Sequence, residues 1–364
     1  MDIFASLKRQ DWWLNGALAV LAAASLVMMA STSERLFWVQ FAWFALAAVI
    51  IGAIARFDIR PLFNYRWIII SLYVAGTLLL AGTLFFAPII RHSRGWFAID
   101  TAWFQIRFQP AELMKALLII LLAYFFARRH RGIAHVWTLT LSFLYLAVPA
   151  LIIFLQPDWG SGMVLVALWT GFLLVSGIRW RHLAWGAFAL ALAAAASWLF
   201  LLAPYQKERI IGFFEPAYDP LGINYSVIQA KIAIGSGGMF GKGFAQGTQT
   251  QLRFLTEPST DFIFAALVEE WGLVGGAVIV GAFFLLVFRV LQIGLASDDV
   301  FFQFICLGAA MLFLVEFAFN VGSNVGLLPV VGVTFPFFSY GGSSILTKAV
   351  LVGIIQSIAT FRRA

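Results

Sequence analysis

The chain has 364 residues, of which 62% are apolar and 11% charged, with a net charge of +7. Soluble domains carry about 45–50% apolar and about 25% charged residues, so a water-soluble globule is excluded and a polytopic membrane protein is indicated. The basic residues sit at the ends of apolar runs, which reads as membrane topology and not as nucleic-acid binding.

Ten segments approach the ~20 residues that a bilayer crossing requires. They lie near 14–31, 37–55, 67–89, 111–127, 137–155, 160–178, 183–203, 262–288, 301–321 and 341–360. The sequence therefore predicts an all-α integral membrane protein of about ten transmembrane helices. Lys8 and Arg9 precede the first run as they would in a signal peptide, but the run is too long and more spans follow, so it reads as an uncleaved anchor. No repeat or Pro/Ser-rich linker divides the chain, so 1–364 is taken as one membrane domain. Span eight carries Gly272, Gly275, Gly276 and Gly281, places to bend or pack closely. Cys306 is a lone cysteine in an apolar run, which excludes a disulfide framework.

Orientation follows from charge. A cytoplasmic N-terminus gathers Lys8, Arg9, Arg56, Arg60, Arg66, Arg128, Arg129, Arg131, Arg179, Arg181, Arg289, Arg362 and Arg363 inside, against Arg35, Arg91, Arg94 and Arg107 in short outer loops. Both termini are then cytoplasmic. The long polar loop 204–261 between spans seven and eight faces outside, as do loop 90–110, the break at Pro157 and segment 322–340.

Four groups converge on that outer side. Gln109 to Lys115 opens span four; Pro110 and Glu112 suit a helix start, whereas Lys115, on the same face as Glu112, is an expensive charge beside hydrocarbon unless it functions or closes a network. Gln156 to Gly162 opens span six with Asp158 at its positive end, as a helix cap or a site residue. Thr260-Asp261 stands where the long loop re-enters the membrane, and Asp261 reads either as a helix cap or as a general base. Glu269 and Glu270 lie deeper and read as helix-tying groups. The glycine-rich stretch from Asn320 to Ser344, Ser343 included, reads as a cavity rim, and Lys348 and Glu316 as a buried pair.

Several motifs fail. Gly235 to Gly243 resembles a phosphate loop, but Ser236, Phe240 and Gly243 break both standard patterns. His92, His130, His135 and His182 form no metal-ligand set, and no Asp-x-Asp pair serves a nucleotide-sugar metal.

The segments FQPAELMK, QPDWGSG, Pro204–Glu270 and NVGSNVGLLPVVGVTFPFFSYGGSSIL resemble the SEDS family (shape, elongation, division and sporulation), from about Arg94 to Ser344. Within it, GKGFAQGTQTQLRFL is closer to the elongation members than to the division members. The resemblance implies a ten-span peptidoglycan glycosyltransferase of the bacterial cytoplasmic membrane, polymerising lipid II on the outer face. It implies Asp261 as the essential base, within Leu255-Thr256-Glu257-Pro258-Ser259-Thr260-Asp261; Thr256 stands where the family has Pro and Ser259 where it has His. Glu112, Lys115, Asp158 and Ser343 are carried over as cavity residues. Lys115, Lys207, Arg209, Lys231 and Lys242 are candidates to meet diphosphate charge. A divalent cation, magnesium or manganese, could share that role, although no cluster specifies one. Implied partners are a class B penicillin-binding protein and membrane proteins of the elongation complex, with no nucleic acid. A lipid II flippase and a non-catalytic scaffold for a transpeptidase are the competing readings.

Overall fold

The structure is a computed structural model that describes residues 9–88, 94–100, 105–129, 136–202, 204–215 and 218–361. Lys8, Arg91, Arg131, Arg362 and Arg363 of the charge count, and His92, His130 and His135, lie outside the described residues.

Helices form at all ten expected places. They are α1 (Trp12–Thr32), α2 (Glu34–Ile54), α4 (Arg66–Phe86), α5 (Pro110–Arg129), α6 (Val136–Leu155), α7 (Trp159–Val175), α8 (Trp180–Ala196), α12 (Ile263–Leu295), α13 (Val300–Val325) and α14 (Gly342–Thr360), with a single turn, α3 (Arg60–Phe63), between α2 and α4. Eight are long and apolar enough to cross a membrane. The other two, α7 and α8, have 17 residues each, and α8 continues as a π-helical turn, Ser197–Leu201. Local chemistry sets several starts. The Asp11 carboxylate accepts from Leu14 N at the head of α1, Asp158 from Ser161 N at α7, and Asp299 from Phe301 N at α13. Gly326, at φ 77°, closes α13 in the left-handed conformation that glycine adopts without strain.

Burial is uneven. Some 78% of the apolar window of α5 and of α14 is buried and 61% of that of α13, against 11% for α2. So α5, α13 and α14 form the centre. The ends are ordered too: Asp11 N donates to Gln356 Oε1 at 2.9 Å, which puts the start of α1 beside the end of α14. Ser31, at the end of α1, meets Glu270 at the opposite face.

Two expectations are refined. Within the expected loop, β1 (Phe97–Asp100) pairs antiparallel with β2 (Gln105–Phe108), and β2 leads directly into α5. The long polar stretch also carries three helices: α9 (Pro204–Phe214), α10 (Tyr225–Gly237) and α11 (Thr248–Gln251). The α10 helix packs on α12 and α13, whereas α8 meets chiefly the π-helical turn that continues it.

At 33 residues α12 would be about 50 Å long, well beyond the ~30 Å hydrocarbon core. Gly272 breaks it, at φ 73° and ψ −175°. The backbone of the glycine-rich turn fills the break: Leu273 N donates to Gly238 O and Val274 N to Met239 O, while Lys242 N and Gly243 N donate to the Glu269 and Glu270 carbonyls. A Cβ on Gly241 would lie 2.1 Å from Glu270 O, and one on Gly237 2.0 Å from Val268 O. The stretch that mimics a phosphate loop is thus a close backbone–backbone joint.

Candidate active site

Asp261 precedes α12 at the face opposite the termini and is half-buried. Two asparagines one turn apart on α13 hold its backbone. Asn324 Nδ2 donates to Asp261 O at 2.7 Å and Asn320 Nδ2 at 3.2 Å, and Asn320 also reaches Val333 O at 2.9 Å. Asn324 Oδ1 in turn accepts from Ala265 N at 3.0 Å, which fixes the first turn of α12. From the other side, Ser339 Oγ donates to Thr260 O at 2.7 Å and Tyr340 N to Ser259 O at 2.8 Å. Ser259, where the family pattern has His, contributes its carbonyl here. Thr256, where the pattern has Pro, hydrogen-bonds Ser226 at 2.7 Å and pins the loop to α10.

Beneath this lies a closed ring of alternating charge. Lys115 Nζ is 2.5 Å from Glu112 Oε1 and 2.8 Å from Glu316 Oε1; Lys348 Nζ is 2.9 Å from Glu316 Oε2 and 3.4 Å from Glu112 Oε2. All four side chains are at most 9% exposed. Two acids against two lysines sum to zero charge, the condition under which buried ions are tolerated. The ring joins α5, α13 and α14. It continues outward, since Lys348 donates to Ser344 Oγ and Ser344 shares a 2.9 Å hydrogen bond with Thr334, five residues before Ser339.

The other sequence groups meet at the same end. Gln109 Nε2 donates to Asp158 Oδ2 at 2.8 Å, joining the heads of α5 and α7. Gln109 N donates to Ser343 Oγ and Ser343 Oγ to Arg107 O, both at 3.0 Å, so Ser343 ties α14 to β2. Asp158 acts as helix cap and cross-link together. A Cβ on Gly160 would sit 2.2 Å from Val331 O, so only glycine admits the 326–341 segment this close.

The cationic candidates part company. Lys242 Nζ is held 2.8 Å from Glu269 Oε1, and Glu269 also accepts from Gln249 N, Thr250 N, Thr248 Oγ1 and Thr250 Oγ1. Glu270 accepts from Ser31 and Gln251. Both acids tie the loop to the bundle, as their depth suggested. Lys207 lies 5.9 Å over the Trp198 ring. Arg209 falls on α9, and its side chain lies outside the described residues. Lys231 is exposed and lies against Gly326, two residues past Asn324. Two arginines lie near Tyr340. Burial pushes the Tyr340 phenol above its ordinary value, and the nearby Arg35 and Arg107 charges pull it back. Arg35 and Arg107 entered the sequence reading only as topology markers. Arg107, two residues before Gln109, was the more legible.

Among the described residues no three acidic, histidine or cysteine side chains converge as a metal site.

Apolar helices packed around a neutral charge ring, with a backbone-clamped carboxylate at one end, define a multi-pass membrane protein with a polar site at one end of its bundle. The family of cell cycle proteins that groups FtsW, RodA and SpoVE matches residues 10–364, and the chain belongs to this SEDS family. It is 36% identical over 355 residues to the peptidoglycan glycosyltransferase MrdB of Escherichia coli K12, covering 95% of this chain and 92% of that one. It is 34% identical over 330 residues to stage V sporulation protein E of Bacillus subtilis, covering 86% and 85%. Among solved structures, a chain from a peptidoglycan synthase complex that coordinates polymerization and crosslinking superposes with a TM-score of 0.81 at 30% identity, covering 96% of this chain and 97% of that one. The rod shape determining protein RodA of Thermus thermophilus superposes at 0.72 and 28%, covering 98% of each chain.

Proposed function

We propose that this peptidoglycan glycosyltransferase polymerises lipid II during cell elongation, at the extracytoplasmic face of the bacterial cytoplasmic membrane, with Asp261 as general base. The observation that carries the proposal is the clamp on Asp261: four side chains and backbone groups fix residues 259–261 at a half-buried position above a neutral, closed ring. A base that must take a proton from a weakly acidic hydroxyl gains most from such positioning.

The step is an inverting displacement. The Asp261 carboxylate takes the proton from the 4-hydroxyl of the acceptor's N-acetylglucosamine as that oxygen bonds to the anomeric carbon of the donor's N-acetylmuramic acid. The bond from that carbon to the diphosphate breaks, and undecaprenyl pyrophosphate leaves with the electron pair. Lys231, Arg35 and Arg107 would meet the developing diphosphate charge, a reading supported by Lys231 lying against Gly326 and by the two arginines near Tyr340. Glu112, Lys115, Asp158 and Ser343 brace the site from within, through the charge ring and the hydrogen bonds between helix heads. A magnesium or manganese ion, if used, arrives with the substrate phosphates, the usual way Mg²⁺ is held when few carboxylates are offered.

The charge ring bears on the flippase reading. Transport sites use intramembrane charges that change partners along a path, whereas all four charges here are consumed by one another. The crosslinking partner is a class B penicillin-binding protein, a reading supported by the likeness to a synthase complex. Purified protein with that partner and fluorescent lipid II tests the proposal. Glycan chains are expected; movement of lipid between leaflets without polymer, or neither, contradicts it.

A further inference from the structure

At the end of the bundle opposite Asp261 lies a cavity of about 550 Å³ between the start of α1 and the ends of α12 and α14, with a polar wall of Arg9, Gln10, Asp11, Arg289 and Gln292. Its volume falls in the range of small-ligand sites, about 300–1,000 Å³. The hydrogen-bond ledger of that wall is one-sided. The Asp11 carboxylate accepts from Leu14 N and from the Arg289 guanidinium. Gln292 Oε1 accepts from Arg289, Gln10 Oε1 from Asn15 Nδ2, Asn15 Oδ1 from Gln356 Nε2, and Gln356 Oε1 from Asp11 N. Every side-chain acceptor in the wall is therefore taken.

Donors are left over. Arg289 uses three of its five N–H groups on Asp11 and Gln292. The amide nitrogens of Gln10 and Gln292 make no hydrogen bond among the described residues, and Arg9 is exposed with no ion pair among them. Two guanidiniums against one carboxylate also leave the wall one positive charge in excess. Surplus donors and positive charge suit a ligand made only of acceptors.

We propose that this cavity binds a phosphate-ester anion, the shared chemistry of an anionic phospholipid headgroup and of soluble phosphate. Its place among helix ends favours the lipid source, since basic pockets between transmembrane helices are where anionic headgroups lodge. The site stands apart from the polymerase reading and does not depend on it.

The test uses the full chain, delipidated in neutral detergent, with bound lipid read by native mass spectrometry and unfolding by thermal shift. Phosphatidylglycerol is expected to be retained over phosphatidylcholine, and Arg9→Gln to lower that retention about fivefold. Arg56→Gln, an exposed arginine at the same face, is expected to leave it unchanged. If phosphatidylglycerol shows no preference but millimolar inorganic phosphate stabilises the wild type and not Arg9→Gln, the anion site stands with a soluble ligand. Neither effect, or equal losses for Arg9→Gln and Arg56→Gln, overturns the proposal.

Discussion

The side-chain amide of Asn324 donates to the main-chain carbonyl of Asp261 at 2.7 Å, and its oxygen accepts from Ala265 N. One asparagine thus fixes both the residue read as the base and the first turn of the helix that follows it. Asn324→Ala leaves that carbonyl and that amide without these partners, a loss of about 1–3 kcal/mol where such groups are buried. Turnover is expected to fall about 10- to 100-fold with a smaller change in KM, because a base displaced by an ångström works poorly. Initial rates of glycan synthesis across lipid II concentrations check the split.

The charge ring predicts a strong asymmetry between single and paired changes. Glu316→Gln leaves two buried lysines facing one acid, and breaking such a network costs about 3–5 kcal/mol. Neutralising the pair together, Glu316→Gln with Lys348→Met, keeps the site neutral with Lys115 still on Glu112 and should recover a large part of that loss. Thermal unfolding in detergent reads both.

Gly241 lies at φ 79° with the Glu270 carbonyl where a Cβ would go. Gly241→Ala is expected to destabilise by about 1–3 kcal/mol. Gly235→Ala, with open space around it, should stay within about 0.5 kcal/mol. Comparable losses at both positions would contradict the backbone joint at the Gly272 break.

Tyr340 supplies a pH dependence. Its pKa is raised by burial, against the pull of Arg35 and Arg107. Its contribution to stability is therefore complete below the ordinary tyrosine value of about 10 and is lost as pH rises through the folded value. Tyr340→Phe should flatten the alkaline limb of the stability profile, measured by thermal unfolding between neutral and alkaline pH.

Much of this architecture was legible in the sequence because it rests on two strong local signals. Apolar runs of bilayer length placed the ten helices, and charges stranded beside hydrocarbon marked Glu112, Lys115, Glu316 and Lys348 as groups that must find one another. That they close into a four-membered ring was not legible, since Lys115 on α5 lies 201 residues before Glu316 on α13. Lys242 shows the converse. It read as a phosphate-binding cation among glycines, yet those glycines serve a backbone joint and its ammonium is committed to Glu269, 27 residues on. Arg35 read only as a topology marker because nothing local sets it apart from other loop arginines; the fold alone brings its charge near Tyr340.

The most direct measurement is glycan synthesis by Asp261→Asn, assayed with the partner transpeptidase and fluorescent lipid II, after thermal unfolding has shown the variant to be folded. The substitution keeps shape and removes the base. The account predicts a rate lowered by about 10²-fold or more, with lipid II still bound. Polymer made by the folded variant at the wild-type rate would contradict it.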